Sequence, residues 1–375
     1  MNGLGELKIA VETRHVNRVR LTDFRNYEHL DIELTHGFHV LAGQNAQGKT
    51  NLLEALYLLS TARLLRGMRD AEAIREGADR ALAEADIANG STTVSILLER
   101  GIRKRAMLNG VGLPRASDLM GRLVAVCVSS ADLPIVAGEP SDRRLFLDVE
   151  LSQLYPGYLK ALATYKRALE QRNSLLKSAQ DTFVPEEAFE PWEVQMADSG
   201  AALRRYRSEF ITQVAFHARE THATLGSGES LEVHYVPKDE AGTADELYAL
   251  WGRSRSSEIS RGTSSYGPHR DDILFTVEAR EARLFGSQGQ QRSAVIALKL
   301  AVHEHIREVL GEAPLLLLDD MLSDLDAERR SHLCDWVIEH AGQAVLTCTE
   351  ASAAGPRILE RATIFDVKAG IVVPR

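Results

Sequence analysis

The chain has 375 residues, 44% hydrophobic and 26% charged, a soluble globular balance long enough for two domains or one elaborated domain. A formal net charge of −9 excludes a basic field over the whole molecule, so any nucleic-acid contact has to come from local patches. No uncharged apolar run approaches the roughly 18 residues of a membrane span and MNGLGELKIAVETRHV has no signal-peptide core, so a cytoplasmic protein without membrane contact is expected.

The segments HVNRVRL, LDIEL and FHVLAG are short, alternating or apolar, and separated by turn-prone residues, which predicts three strands. GQNAQGKT follows: Gly43, Gln44, Asn45, Ala46, Gln47, Gly48, Lys49 and Thr50 fit G-x-x-x-x-G-K-[ST], with a strand before and a helix after. Backbone N–H groups of such a loop, with the helix N-terminus and Asn51 beside it, wrap a phosphate chain. Lys49 reaches the β- and γ-phosphates, and the Thr50 hydroxyl ligates Mg²⁺. ATP and Mg²⁺ are therefore the expected cofactors. A glycine-rich turn without a ligand is the weaker alternative.

TNLLEALYLLSTARLL spaces Leu52, Leu53, Leu56, Leu59 and Leu64 at helical intervals. Strands are expected around STTVSILLERG and GRLVAVCVSS, and this alternation indicates α/β architecture. ERGIRKRAMLNG reads as a hairpin carrying Arg100, Arg103, Lys104 and Arg105. From about residue 141 to 262 the chain is mostly amphipathic helix, broken by TFVPEEAFEPWE, which predicts a helical insertion between 1–140 and 263–375. LRRYR adds Arg204, Arg205 and Arg207 on an insertion helix. These basic clusters could neutralise DNA phosphates without reading sequence, or simply form solvated charged faces. No heptad pattern persists long enough for a coiled-coil arm.

Within FGSQGQQRS, Ser287, Gln288, Gly289 and Gln290 precede a helix with an apolar stripe. A serine hydroxyl and glycine-exposed N–H groups there form an anion site, although helix capping by Ser287 needs no ligand. PLLLLDDMLSDLD then gives a buried parallel strand whose carboxyl end presents Asp319, placed to hold Mg²⁺, and Asp320, placed to polarise an attacking water. The P-loop and this acidic strand complete one triphosphate site, so the Ser287 loop is free to serve the nucleotide of another protomer, reciprocally under two-fold symmetry. The three cysteines, Cys127, Cys334 and Cys348, lack CxxC spacing and read as small buried side chains.

The P-loop, the Ser-x-Gly-Gln loop, the leucine strand ending in acid and the LSDLD that follows resemble the ABC-type ATPase head, close to the SMC and Rad50 class. Within that class RLTDFRNYEHLDIEL, GQNAQGKTNLLEALYLLS, EPSDRRLFLD, YGPHRDD, FGSQGQQRS and LLLLDDMLSDLD are similar, in order and spacing, to the RecF family. The resemblance implies a mixed-sheet ATPase lobe I with an inserted, mainly helical lobe II. It implies an ATP-dependent homodimer on gapped or single-stranded DNA, mediator partners of the RecR/RecO type, recombinase loading, a part in the SOS response, and weak DNA-dependent ATP hydrolysis. It also implies that Ser287 and Gly289 meet the partner's γ-phosphate, that LSDLD crosses the dimer interface, that Arg25 lies near the nucleotide and that Thr349 stands at the switch position.

Three departures matter. Asp320 replaces the glutamate of most ABC ATPases, VSSADL (128–133) replaces the usual proline- and glutamate-containing stretch, and roughly the first fifteen residues precede the family's usual start. His269, Arg270 and Asp271 fall on the PHRDD block, whose residues indicate no particular role; a histidine beside an Arg–Asp pair is as often a structural hydrogen-bond knot as a functional group. The competing readings are an ATPase subunit of a transporter, which would bring a switch histidine, and a DNA-end-processing head, which would bring long coiled-coil arms.

Overall fold

Alternating apolar residues pair off into three sheets in a computed structural model that describes residues 15–66, 69–225, 228–323 and 325–375. The segment before the family's usual start, and Asp324 within LSDLD, lie outside the described residues. One mainly antiparallel sheet takes β1 (Val16–Phe24), β2 (Tyr27–Glu33), β4 (Arg80–Ile87), β5 (Thr92–Glu99), β6 (Ile102–Leu108) and β7 (Val111–Gly112), in the order β2-β1-β4-β5-β6-β7. A second takes β3 (Gly37–Ala42), β8 (Ala125–Ser129), β12 (Leu315–Asp319), β13 (Gln343–Cys348), β14 (Ala362–Lys368) and β15 (Ile371–Pro374), in the order β15-β14-β3-β13-β12-β8. Its strands are parallel except for the terminal hairpin of β14 and β15. A third, small sheet has the order β11-β10-β9, from β9 (Leu231–Val236), β10 (Asp272–Val277) and β11 (Arg280–Glu281).

The longer helices are α1 (Lys49–Thr61), α2 (Pro140–Leu154), α3 (Pro156–Asp181), α4 (Glu190–Leu225), α5 (Ala244–Arg261), α6 (Gln288–Leu310) and α7 (Ala327–His340). Helix α1 stops at Thr61, one turn earlier than its leucine spacing predicts, because Ala62 turns left-handed and gives its N–H to Leu58.

The chain divides into two compact units. The first holds residues up to Leu133, Glu220–Glu229 and Arg292–Arg375. In it the leucines of β12 alternate between two cores. Leu315 and Leu317 pack with α1 and the antiparallel sheet, whereas Leu316 and Leu318 pack with residues of α6 and α7. Burial on both faces is why this strand reads as an unbroken apolar run. Helix α1 is likewise buried around most of its circumference (Leu52, Leu53, Ala55, Leu56, Leu58 and Leu59 have no exposed surface), which fixes the P-loop at its start.

The second unit holds Pro134–Arg219 and Ser230–Gln291. It is larger than the expected 141–262 insertion and reaches past 263, so the Ser287 loop falls in it and not in the nucleotide-binding unit. The reason is pairing: β9 hydrogen-bonds along its whole length to β10, so the strand after the GPHRDD block is tied to the helical segment. That unit is therefore helical with a small sheet, and no described helix exceeds the 36 residues of α4, too short for a coiled-coil arm.

Candidate nucleotide site

The carboxyl ends of three adjacent parallel strands meet at the P-loop: β3 leads into it, Asp319 ends β12, and Thr347 of β13 stands in register beside Asp319. Ligands bind at this edge of open parallel sheets. Gly43 admits no side chain, since a Cβ there would lie 2.3 Å from the Val367 carbonyl oxygen of β14. Further contacts shape the loop. The Asn26 amide donates to the Gln47 carbonyl at 2.9 Å, the Tyr27 hydroxyl to the Gly48 carbonyl at 2.9 Å, and the Gly370 N–H to the Gln47 carbonyl at 3.0 Å. Lys49 is almost fully buried and its Nζ donates to the carbonyls of Gly43 at 2.6 Å and Gln44 at 2.9 Å.

Helix α1 starts with no side-chain cap on Gly48 and no acidic residue in its first turn. Its N–H groups and the positive end of its dipole are thus suited to an anion. The Thr50 hydroxyl donates to Asp319 Oδ1 at 2.8 Å, joining the P-loop to the acidic strand. Burial pushes the Asp319 carboxyl above the usual aspartate range, and the neighbouring Asp320 charge adds to this, against hydrogen bonds from Thr50 and Thr347 and the Arg66 charge. A buried carboxylate beside a threonine hydroxyl is an all-oxygen set suited to Mg²⁺, which would relieve that burden.

Asp320 has a left-handed backbone (φ 54°), which aspartate tolerates better than most residues. It is held by its N–H on Thr347 Oγ1 at 2.9 Å and by the Ser323 hydroxyl on its Oδ1 at 2.8 Å. Thr347 also donates to Asp319 Oδ1 at 2.9 Å, so it fastens both acids. Thr349, expected at the switch position, lies just past the end of β13. The signal for Thr347 is its parallel register opposite Asp319.

Arg25 turns the β1–β2 hairpin with φ 54° and forms a bidentate pair with the fully buried Glu54 of α1 at 2.7 and 2.9 Å. Its remaining contacts are the carbonyls of Glu72 and Arg66. Its head is engaged within the protein and orients α1 and the Arg66 loop. Arg66, which sequence reasoning missed, donates to the Asn51 side chain at 3.2 Å, and Asn51 in turn donates to Asn26 at 2.8 Å.

In the second unit Ser287 begins α6. Its Oγ accepts the Gln290 N–H at 3.2 Å while Gln290 Oε1 accepts the Ser287 N–H at 2.8 Å, a reciprocal cap. The capping role is thus present, and Ser287, Gln288 and Gly289 remain exposed.

The basic clusters need correction. Arg204 is buried between Asp239 and Asp271, and Arg207 is buried on Asp148, so neither offers its head to DNA. Lys104 pairs with Asp70 at 2.8 Å and Arg105 with Glu99 at 2.6 Å. Arg103 and Arg205 are exposed, the latter over the Tyr206 ring.

Comparison with known proteins agrees with this geometry. The profile of the RecF/RecN/SMC N terminal domain matches residues 15–355. The DNA replication and repair protein RecF of Symbiobacterium thermophilum is 40% identical, with 96% of this chain and 98% of that protein aligned. That of Gloeobacter violaceus is 38% identical, with 94% and 96% aligned. A solved structure of the recombination mediator protein RecF with ATP, in the RecFOR pathway, superposes with a TM-score of 0.88 at 27% identity over 99% of this chain and 100% of that one. The Smc head domain of Pyrococcus furiosus, at TM-score 0.57 and 15% identity over 96% of each chain, shares the fold.

Fold and site together define an ABC-type P-loop ATPase head of the SMC-like class. Within that class the chain belongs to the RecF family.

Proposed function

We propose that this chain is an ATP-dependent DNA-binding protein of recombinational repair and replication-fork maintenance. The observation that carries the reading is the 2.8 Å hydrogen bond from Thr50 to Asp319, which makes one triphosphate site out of two distant segments. The P-loop amides and Lys49 hold the phosphates of ATP. Thr50 and Asp319 hold Mg²⁺, which when bound neutralises phosphate charge. Asp320 orients the attacking water, and its side chain, one methylene shorter than glutamate, makes hydrolysis slow enough to serve as a timer. Two copies close on gapped or single-stranded DNA, each covering its partner's nucleotide with Ser287 and the exposed first residues of α6. ATP favours closure only by binding the dimer better than the monomer. Opening after hydrolysis times recombinase loading through mediator proteins of the RecR/RecO type.

The names and ATP complex of the relatives support this reading. Its test is the oligomeric state by light scattering, with and without ATP and gapped DNA, at two salt concentrations. ATP is expected to shift monomer to dimer, and DNA to strengthen the shift more at low salt. Lys49→Met is expected to lose nucleotide binding in calorimetry and dimerisation with it. Unchanged ATP affinity in that variant would remove the assignment of the P-loop.

A further inference from the structure

The blocks EPSDRRLFLD and YGPHRDD take no part in the nucleotide site, yet the fold joins them. Arg143 of α2 pairs with both oxygens of Asp272, at 2.6 and 3.0 Å, and Arg144 beside it donates Nη1 to the Asp271 carbonyl at 3.0 Å. Four carboxylates of this unit are already engaged. Asp272 is held by Arg143, Asp239 and Asp271 by Arg204, and Asp148 by Arg207, Lys166 and the Tyr158 hydroxyl.

Two cations are left over. Arg270 gives Nε and Nη2 to the Ser264 carbonyl, at 3.2 and 2.9 Å. Arg144 commits one of its five N–H donors, also to a carbonyl. Among the described residues, the bonds of both arginines go to backbone carbonyls and to no carboxylate. Arg270 is exposed and Arg144 half-buried. Burial, with the positive charges of Arg207 and Arg270, holds the Arg144 guanidinium below the ordinary arginine range, against the pull of the Asp272 and Asp148 carboxylates. A partly desolvated guanidinium with unused N–H donors still has room for a further anion. A guanidinium fork fits the paired oxygens of a phosphate.

We propose that Arg144 and Arg270 form a phosphate-gripping pair on the helical unit that takes the sugar–phosphate backbone of DNA. The inference rests on the DNA-binding reading above and supplies contacts that the buried Arg204 and Arg207 do not. Backbone binding without sequence preference asks for guanidinium groups that no carboxylate has claimed, and Arg144 and Arg270 meet that condition side by side. A carboxylate from a protein partner is the competing occupant.

Binding of a fluorescein-labelled gapped duplex, followed by anisotropy over a series of KCl concentrations, tests it. Arg144→Gln and Arg270→Gln are each expected to lower the slope of log Kd against log salt by about 1, and the double variant by about 2, with weaker binding to all sequences alike. Arg144→Lys is expected to keep the slope, and every variant to bind a fluorescent ATP analogue as the parent does. Should Arg144→Gln fail to fold, the exposed Arg270→Gln carries the test alone. Equal slopes in parent and variants would overturn the proposal. So would an intact DNA slope with lost ATP-dependent dimerisation, which would assign the pair to a protein carboxylate. A parent that binds ATP but no gapped DNA would instead refute the DNA-binding function itself, and this inference with it.

Discussion

The Arg204 guanidinium lies between the carboxylates of Asp239 and Asp271 and is itself 5% exposed. The Tyr235 hydroxyl and the Lys238 N–H also converge on Asp271. Replacing Arg204 by alanine would strand two carboxylates in a poorly solvated place, at a cost of about 3–5 kcal/mol. Urea unfolding of Arg204→Ala is expected to show that loss, while its folded fraction keeps the parent's DNA salt slope. Parent-like stability with lost DNA binding would restore Arg204 as a DNA contact. Nothing in LRRYR distinguishes Arg204 from Arg205, because their partners Asp239 and Asp271 arrive from distant segments. The P-loop was legible for the opposite reason. Gly43, Lys49 and Thr50 act within eight consecutive residues, so spacing alone states their chemistry. Thr347 is intermediate: it contacts the acids only through strand register, which no local pattern encodes.

Strands buried on both faces, and helices followed by glycine-rich loops, announce themselves by composition, and β3, β8 and β12 were readable in that way. The small sheet was not, since β9 and β10 are separated by α5 and a loop and gain their partners only on folding. The elements also bury two neutral imidazoles. His303 of α6 contacts the Pro314 carbonyl just before β12, and His269, ahead of β10, contacts the Tyr165 hydroxyl and the Ser264 carbonyl. Burial pushes each ring down to about 4. Between the ordinary histidine value near 6.5 and about 4, the unfolded chain binds more protons than the native one. Stability is therefore complete above pH 6.5 and falls as pH drops toward 4, by about 3 kcal/mol for each ring at the lower limit. Urea midpoints at pH 7 and pH 5 are expected to differ accordingly, and His303→Gln to flatten the dependence. An unchanged slope in that variant would mean that other groups set it.

For the assembled protein, the exposed Ser287 loop is the point at which one copy is expected to feel another's nucleotide. Ser287→Arg removes a helix cap, at a cost of about 1 kcal/mol, and puts a bulky cation at that contact. The variant is expected to bind ATP as a monomer with parent affinity and to give no ATP-dependent dimer in light scattering. A normal dimer would refute the shared-site arrangement. Sequence order hinted at such sharing, because a second phosphate-type loop had no nucleotide of its own to serve.

One feature of the P-loop reaches back to how the protein is made. The strand that launches the loop lies between β13 and β14, and the loop itself is clasped by Gly370 and backed by Val367. On the ribosome Gly43 to Thr50 emerge early, but Val367 and Gly370 come some three hundred residues later. A nascent or prematurely released chain thus carries the whole motif without the surroundings that shape it. A chain stopped before Val367 is expected to bind ATP more weakly than the parent in calorimetry, although its P-loop is intact.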